Sequence, residues 1–444
     1  MNAKIRGLLA FAKTRVGRPA FKAFLIAYLY VTVPRVLGLV LKGMKRKKYK
    51  EMAERVLQAL IKACDPRKFP MFSAYLIAGI NALEIPMYRM VKSYLPLKRP
   101  IRRLFLATFL ASFITSMVAF PSYQLHVTEK SRYYSLDLTL LVLSRALDTV
   151  LSSYFNKILP ASIRSFGDPA LFIGSCSLIM FAWFYNPDAL PPAYSSWITS
   201  AANMDPEMKI ALRYLREGKL KYGEDLPAGA FLKEYAIKYG RDPKLGDFLQ
   251  TQPLDCEMVH SFKTKSCELN ALWRFVRGFE FAFKIYGPIK FIGLFFPSKN
   301  KLKFRLIRAL ISAIRSSCFL GSFIGLFWYA VCLVRTRLGP KLFPRIPRTR
   351  YDTTLCTLGG CVACGFSSFV ETKSRRKELA LFVAPRALGT IVPTENSKFY
   401  LQIEAIVFAM SFSVLVAYSK FAPKKIRGIF GLGFKQIFNA DYYK

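Results

Sequence analysis

The sequence predicts an all-α fold: a polytopic helical bundle in a membrane, with two duplicated halves of four or five spans joined by a small polar helical module. Three observations carry this. The 444 residues are 53% hydrophobic and 15% aromatic, with mean hydropathy +0.24, whereas a soluble protein reaches an apolar share of about half only with glycine counted. Ten mainly apolar runs approach the roughly 17–25 residues needed to cross a bilayer. One charged, apolar stretch is written twice.

Residues 1–22 are a basic N-terminal segment, and the first acidic residue is Glu51. The segment resembles an organellar targeting sequence; a basic cytosolic flank of the first span explains the same residues. The first membrane half, 23–203, holds runs at 23–41, 70–91, 104–122, 135–155 and 168–186. Pro34 and Arg35 interrupt the first, and Pro86 and Arg89 polarise the end of the second. A polar connecting module, 204–272, opens at Asp205 as N-cap with Pro206 at the first helical position. Its second helix, PAGAFLKEYAIKYG, closes at Gly240. The second membrane half, 273–420, holds runs at 279–297, 307–334, 354–371, 378–393 and 400–418, and a basic tail follows at 421–444.

The charge is uneven. The chain has 67 Lys+Arg against 27 Asp+Glu, a net +40, yet the stretch from Asp205 to Glu268 has 11 acidic and 11 basic residues. The excess therefore belongs to the membrane-associated parts. KGMKRKKYK (42–50), KRPIRR (98–103), RTRLGPKLFPRIPRTR (335–350) and KSRRK (373–377) flank apolar runs and read as stop-transfer signals and anchors for anionic lipid headgroups. A nucleic-acid binder is a poor match, because the apolar runs would have nowhere to go in water. Disorder is excluded by the same runs.

The repeat is clearest where DLTLLVLSRALDTV (137–150) lies over ELALFVAPRALGTI (378–391) without a gap, each preceded by Lys-Ser-Arg (130–132 and 373–375). SLIMFAWFY (177–185) resembles SFSVLVAY (411–418), and Pro34 and Gly38 find weaker counterparts in Pro288 and Gly293. An internal duplication explains all of these. Five spans per half would give inverted repeats and four would give parallel ones. Asp137 and Arg145, like Glu378 and Arg386, are eight residues apart, about 80° around a helix and two turns along it. Charges at membrane depth face a bundle interior or a cavity, so these four residues form a candidate intramembrane polar site, each arginine meeting an anionic headgroup, a fatty carboxylate or a partner carboxylate. Structural pairing is the alternative, with Asp148 in reach of Arg145. Pro385 should kink the second copy.

Two cysteine groups invite metal chemistry. Cys256 and His260 are four apart, on one face if helical, and Cys267 follows at an irregular spacing with no obvious fourth ligand; zinc is one reading and a cap or membrane-surface turn the stronger one. Cys361 and Cys364, with Cys356 nearby, sit in a glycine-rich apolar helix where small residues serve close packing. Histidine is limited to His126 and His260, and no nucleophile elbow, metalloprotease helix, Walker loop or dinucleotide fingerprint occurs. The chain is expected to be no enzyme and to need no cofactor unless zinc binds.

KSRRKELALFVAPRAL (373–388), NPDALPPAYSSWI (186–198), CEMVHSFKTKSC (256–267) and FVRGFEFAFKIYGPIKFI (275–292) together resemble the transmembrane protein 135 family, in a fungal-type form like peroxisomal membrane protein 52. The resemblance spans most of the chain but departs at the N-terminus, which lacks the cysteine-rich opening of animal members. It implies a multi-pass protein of peroxisomal or mitochondrial membranes, linked to fatty-acid and sterol homeostasis and organelle dynamics, and a distant relation to mitochondrial translocase channels. It brings no catalytic residues. A secondary transporter or channel-like carrier of a lipid or anionic metabolite through the duplicated bundle is the alternative.

Overall fold

The computed structural model describes residues 14–438, apart from 97, 130, 159, 251–252, 293, 295–300 and 396. Lys130, Gly293 and the ends of the N-terminal segment and C-terminal tail thus lie outside the described residues. Helix makes up 83% and no strand occurs among the described residues, which decides the all-α class. Among the described residues, six helices are long and apolar enough to cross a membrane: Gly17–Met44, Pro100–Thr128, Ile163–Tyr185, Leu302–Arg337, Arg348–Val370 and Lys398–Phe421. The chain is an integral membrane protein. The other four predicted runs are helical but fall short of that test or run out of the described residues. α3 (Phe69–Tyr94) carries Glu84, Arg89 and Lys92; α5 (Arg132–Ile158) carries Asp137, Arg145 and Asp148. α10 (Cys267–Ile292) is charged along its first four turns, and α13 (Lys373–Gly389) has only 17 residues, about 25 Å of helix.

The chain divides into two compact units, 1–160 with 393–444, and 161–392. In the first, α1 (Gly17–Arg46) leads through the short α2 (Tyr49–Ala63) to α3, followed by α4 (Pro100–Thr128) and α5; α14 (Lys398–Phe421) and α15 (Gly428–Phe438) complete it. Its core is an aromatic ladder. Phe72 stacks on Tyr123 at 4.4 Å and Phe120 on Phe408 at 4.0 Å, with Phe412 and Phe434 continuing the row. The predicted basic tail therefore contributes core, since Phe434 and Phe438 of α15 are buried.

The second unit holds α6 (Ala161–Tyr185), α7 (Pro192–Ala202), α8 (Pro206–Glu217), α9 (Ala230–Lys238), α10, α11 (Leu302–Cys332), α12 (Cys356–Gly365) and α13. α10 and α11 approach closely because glycines face the contact. A Cβ on Gly321 would sit 2.8 Å from the Phe275 carbonyl oxygen, and one on Gly278 would meet Gly321 at 3.2 Å. Small residues allow such backbone approach in membranes, where apolar side chains gain little by leaving lipid. The glycine-rich α12 behaves as expected from its sequence: a Cβ on Gly360 would meet Phe327 of α11 at 2.8 Å.

The two units share one order of neighbours. In the first, α1 packs on α3, α3 on α4, α4 on α14 and α14 on α5. In the second, α10 packs on α11, α11 on α12, α12 on α6 and α6 on α13. The fifth helix of each sequence half thus folds with the four helices of the other half. The boundaries at 160/161 and 392/393 consequently differ from the predicted 203/204 and 272/273, and the module 204–272 belongs to the second unit.

Candidate functional site

The module reaches the membrane helices through a polar seam. After the single turn Cys256–Val259 the backbone enters the left-handed region at Ser261 (φ 58°) and Phe262 (φ 55°). This reversal, unusual for residues with side chains, buries the His260 imidazole. His260 Nδ1 lies 2.9 Å from the Thr264 carbonyl oxygen, which only accepts, so Nδ1 carries the proton. Nε2 then faces Cys332 Sγ at 3.2 Å with its lone pair. Burial holds the imidazole below its ordinary pKa and therefore neutral. Cys267 opens α10 and Cys332 ends α11. The donor atoms of His260, Cys267 and Cys332 all lie within 4.8 Å of one another, and all three residues are buried.

Beside this cluster, two widened π turns, Leu333–Arg337 and Tyr351–Leu355, present Arg335 and Asp352 to each other. Arg335 donates to the Asp352 carboxylate and to the Leu254 carbonyl, and lies 3.9 Å from Cys256 Sγ. Tyr222 of the module donates to the other Asp352 oxygen at 2.6 Å and accepts from the Leu254 amide at 3.1 Å. Arg335 was expected as a lipid anchor in the basic run 335–350; its side chain is instead 4% exposed. Arg274 of α10 donates to the carbonyls of Ala202 and Asn203, closing the end of α7, and lies between Trp273 and Trp328. Asp205 sits at the predicted N-cap position, but its carboxylate accepts from Tyr235 (2.8 Å) and Tyr239 (3.2 Å) rather than from its own helix.

A cavity of about 160 Å³ lies in the second unit among α6, α7, α10, α11 and α13. Its wall is aromatic, including Trp183, Tyr194, Trp197, Phe327 and Trp328. From the repeated helix, Leu379, Phe382 and Val383 line it, and Arg386, one turn further on the same face, places its guanidinium 5.7 Å from the Tyr194 ring centre. At the matching positions of the first copy, Leu138 and Val142 pack into the Phe72–Phe120–Phe408 core. The wall supplied by α7 comes from the end of the first membrane half, after its fifth run.

The predicted polar residues are divided between the units. Asp137 and Arg145 lie on α5 of the first, the former half-buried and the latter buried; Glu378 and Arg386, both half-buried, lie on α13 of the second. Asp148, expected as a neighbour for Arg145, pairs with Arg427, whose Nε lies 2.8 Å from Oδ2. α13 continues through Pro385 for another turn and stops at Gly389. Of the predicted metal ligands, His260 and Cys267 converge, while Cys256 stands outside the tight group and Cys332 takes its place. Cys356, Cys361 and Cys364 are buried in α12, and Cys364 donates to the Cys361 carbonyl at 3.1 Å.

Residues 253–394, roughly a third of the chain, match the family model described as the N-terminal cysteine-rich region of Transmembrane protein 135. This part of the chain is similar to the transmembrane protein 135 family. No curated protein and no solved structure matches the chain. The match also corrects the search for a cysteine-rich opening. Here the corresponding region, 253–394, runs from the end of the module through most of the second half, and it contains seven of the nine cysteines. It includes the whole His260–Cys267–Cys332 cluster, the Arg335–Asp352 pair and the repeated helix α13. Cys332, Arg335 and Asp352 were missed because they lie more than sixty residues from Cys267 in sequence or inside apolar and basic runs. The one available signal was an arginine and an aspartate at the ends of two adjacent apolar helices.

Proposed function

We propose that this chain is a member of the transmembrane protein 135 family and a non-enzymatic lipid-handling protein of peroxisomal or mitochondrial membranes, and that its second unit holds the apolar part of a fatty acid or sterol. The aromatic cavity with Arg386 beside its Tyr194 wall carries this reading. A cavity of about 160 Å³ is close to the roughly 150 Å³ that admits benzene to an engineered apolar core. It suits a ring or a short stretch of chain, with the rest of the lipid outside. Arg386 gives a carboxylate headgroup a charged partner near the same wall. The exposed basic residues of 47–50 and 98–102 suit anionic headgroups at the membrane surface, and the fatty-acid and sterol handling implied by the family resemblance points the same way. Organelle dynamics would follow from membrane composition. The absence of any recognisable catalytic motif in the sequence supports a non-enzymatic role.

The test uses the full chain in nanodiscs with photoreactive palmitate and photoreactive cholesterol. Labelling should map to α7 and α11 and be competed by unlabelled ligand. Ala201→Trp, which fills the cavity from its wall, should cut labelling about tenfold, a loss of about 1.4 kcal/mol. Arg386→Gln should weaken palmitate by about tenfold and leave cholesterol unchanged, as expected for a charge-assisted contact worth roughly 1.5–3 kcal/mol. Labelling spread over all lipid-facing helices and indifferent to Ala201→Trp would refute the proposal. Flux of the labelled acid across liposomes, abolished by Arg386→Gln, would turn lipid holding into carriage.

A further inference from the structure

We infer that His260, Cys267 and Cys332, with Cys256 as the fourth ligand, form a binding site for a thiophilic divalent metal ion of the zinc class, pinning the module to the ends of α10 and α11. Three donors from three separate places in the chain converge within 4.8 Å, all buried. A tetrahedral zinc ion with bonds of about 2.0–2.3 Å holds its donors roughly 3.5–3.8 Å apart. The 3.2 Å between His260 Nε2 and Cys332 Sγ is already close to that spacing.

The surroundings are those of a ligand set. The Thr264 carbonyl fixes Nδ1 as the protonated nitrogen, the outer contact that aims a ligating imidazole. Consecutive positive φ angles at Ser261 and Phe262 show a backbone held in a costly conformation where His260 is positioned. Asn270, one turn after Cys267 on α10, is fully buried, and neither its amide nitrogen nor its oxygen has a hydrogen-bond partner. A buried amide without partners is costly; a thiolate ligand one turn away would give its N–H an acceptor. Arg335, 3.9 Å from Cys256 Sγ, places positive charge beside the fourth thiolate. On binding, each cysteine releases its thiol proton to solvent while the imidazole binds as the neutral base. The buried cysteines of α12 have no comparable histidine, and their role is packing.

The site is tested on the full chain purified without chelator. Elemental analysis should give one zinc per chain, and exchange for cobalt should produce a thiolate-to-cobalt charge-transfer band with the intense visible bands of a tetrahedral centre. Cys267→Ser/Cys332→Ser and His260→Ala should abolish the stoichiometric metal, whereas Cys64→Ser, an exposed position in the other unit, should keep it. The wild-type cobalt spectrum decides even if a variant fails to fold. A folded chain that neither contains nor takes up metal overturns the inference. So does a cobalt spectrum without thiolate character, or a Cys267–Cys332 disulfide in anaerobically purified protein.

Discussion

Individual buried charges in this protein are held by partners distant in sequence, and each pair makes a residue-scale prediction. Glu404 of α14 receives hydrogen bonds from Arg132 and, at 3.2 Å, from Thr139, with the two charged side chains 2% and 6% exposed. Removing one member of such a pair leaves an uncompensated buried charge at a cost of about 3–5 kcal/mol, whereas replacing both by apolar residues of similar volume costs far less. Arg132→Ala should therefore lower the melting temperature in detergent sharply, and Arg132→Met/Glu404→Leu should recover most of the loss. A double variant as unstable as the single one would show that the pair is not the source. Asp205 makes a second prediction. Burial alone would raise its carboxyl, but hydrogen bonds from Ser261, Tyr235 and Tyr239 and the Arg274 charge outweigh it and hold the pKa below the ordinary value. A depressed folded-state pKa contributes stability above the unfolded pKa, and that stability is lost as pH falls through the folded value. Hydrogen-exchange protection of 204–272 should drop on acidification below the ordinary carboxylate range. Asp205→Asn should show weaker protection at neutral pH with that acid step removed.

Helix identity was readable from the sequence because apolar runs, prolines and glycines act locally. The ten runs, the Pro206 start of α8 and the Gly240 stop (φ 66°) all correspond to observed helices or ends. What escaped was set by contacts between elements. The number of runs apolar enough to span fell to six because helices such as α3 and α5 carry charges along their length, among them Glu84 and Arg132, which are buried against Lys420 and Glu404. The third metal donor, Cys332, ends a helix whose only sequence signature is hydrophobicity. The α10–α11 contact supplies an element-scale prediction. Gly321→Ala puts a methyl against the Phe275 backbone at 2.8 Å, where no flexible atom can give way, and overpacking of this kind costs about 1–3 kcal/mol. Gly174 of α6 has nothing within 4 Å of its added Cβ. Thermal unfolding should therefore show Gly321→Ala destabilised and Gly174→Ala unchanged or slightly stabilised. Equal melting temperatures would remove close glycine packing as the reason these helices pair.

At the scale of the whole chain, the duplicated word DLTLLVLSRALDTV/ELALFVAPRALGTI was legible, but the membership of each unit was not. Which half the fifth helix folds with depends on the buried faces of α6 and α14, and sequence spacing does not encode that choice. The same elements make membrane topology a definite expectation. Three of the six spanning helices precede the module, ending with Ile163–Tyr185, and three follow it. If α3 and α5 also cross, the number before the module becomes five, which is again odd; with α10 and α13 added, the total becomes ten, again even. With α3 and α5 counted together, an even number before the module requires α1 to lie on the surface. α1 argues against that: Leu29, Val33, Leu37 and Leu41 follow one another at four-residue spacing and are all exposed, a lipid-facing stripe along the length of the helix. A protease site inserted after Gly240 should therefore be cut from the side opposite to sites placed ahead of Gly17 and after Phe421, which should be cut together. Cleavage of the module and the segment ahead of Gly17 from the same side would place α1 on the membrane surface or show that just one of α3 and α5 crosses.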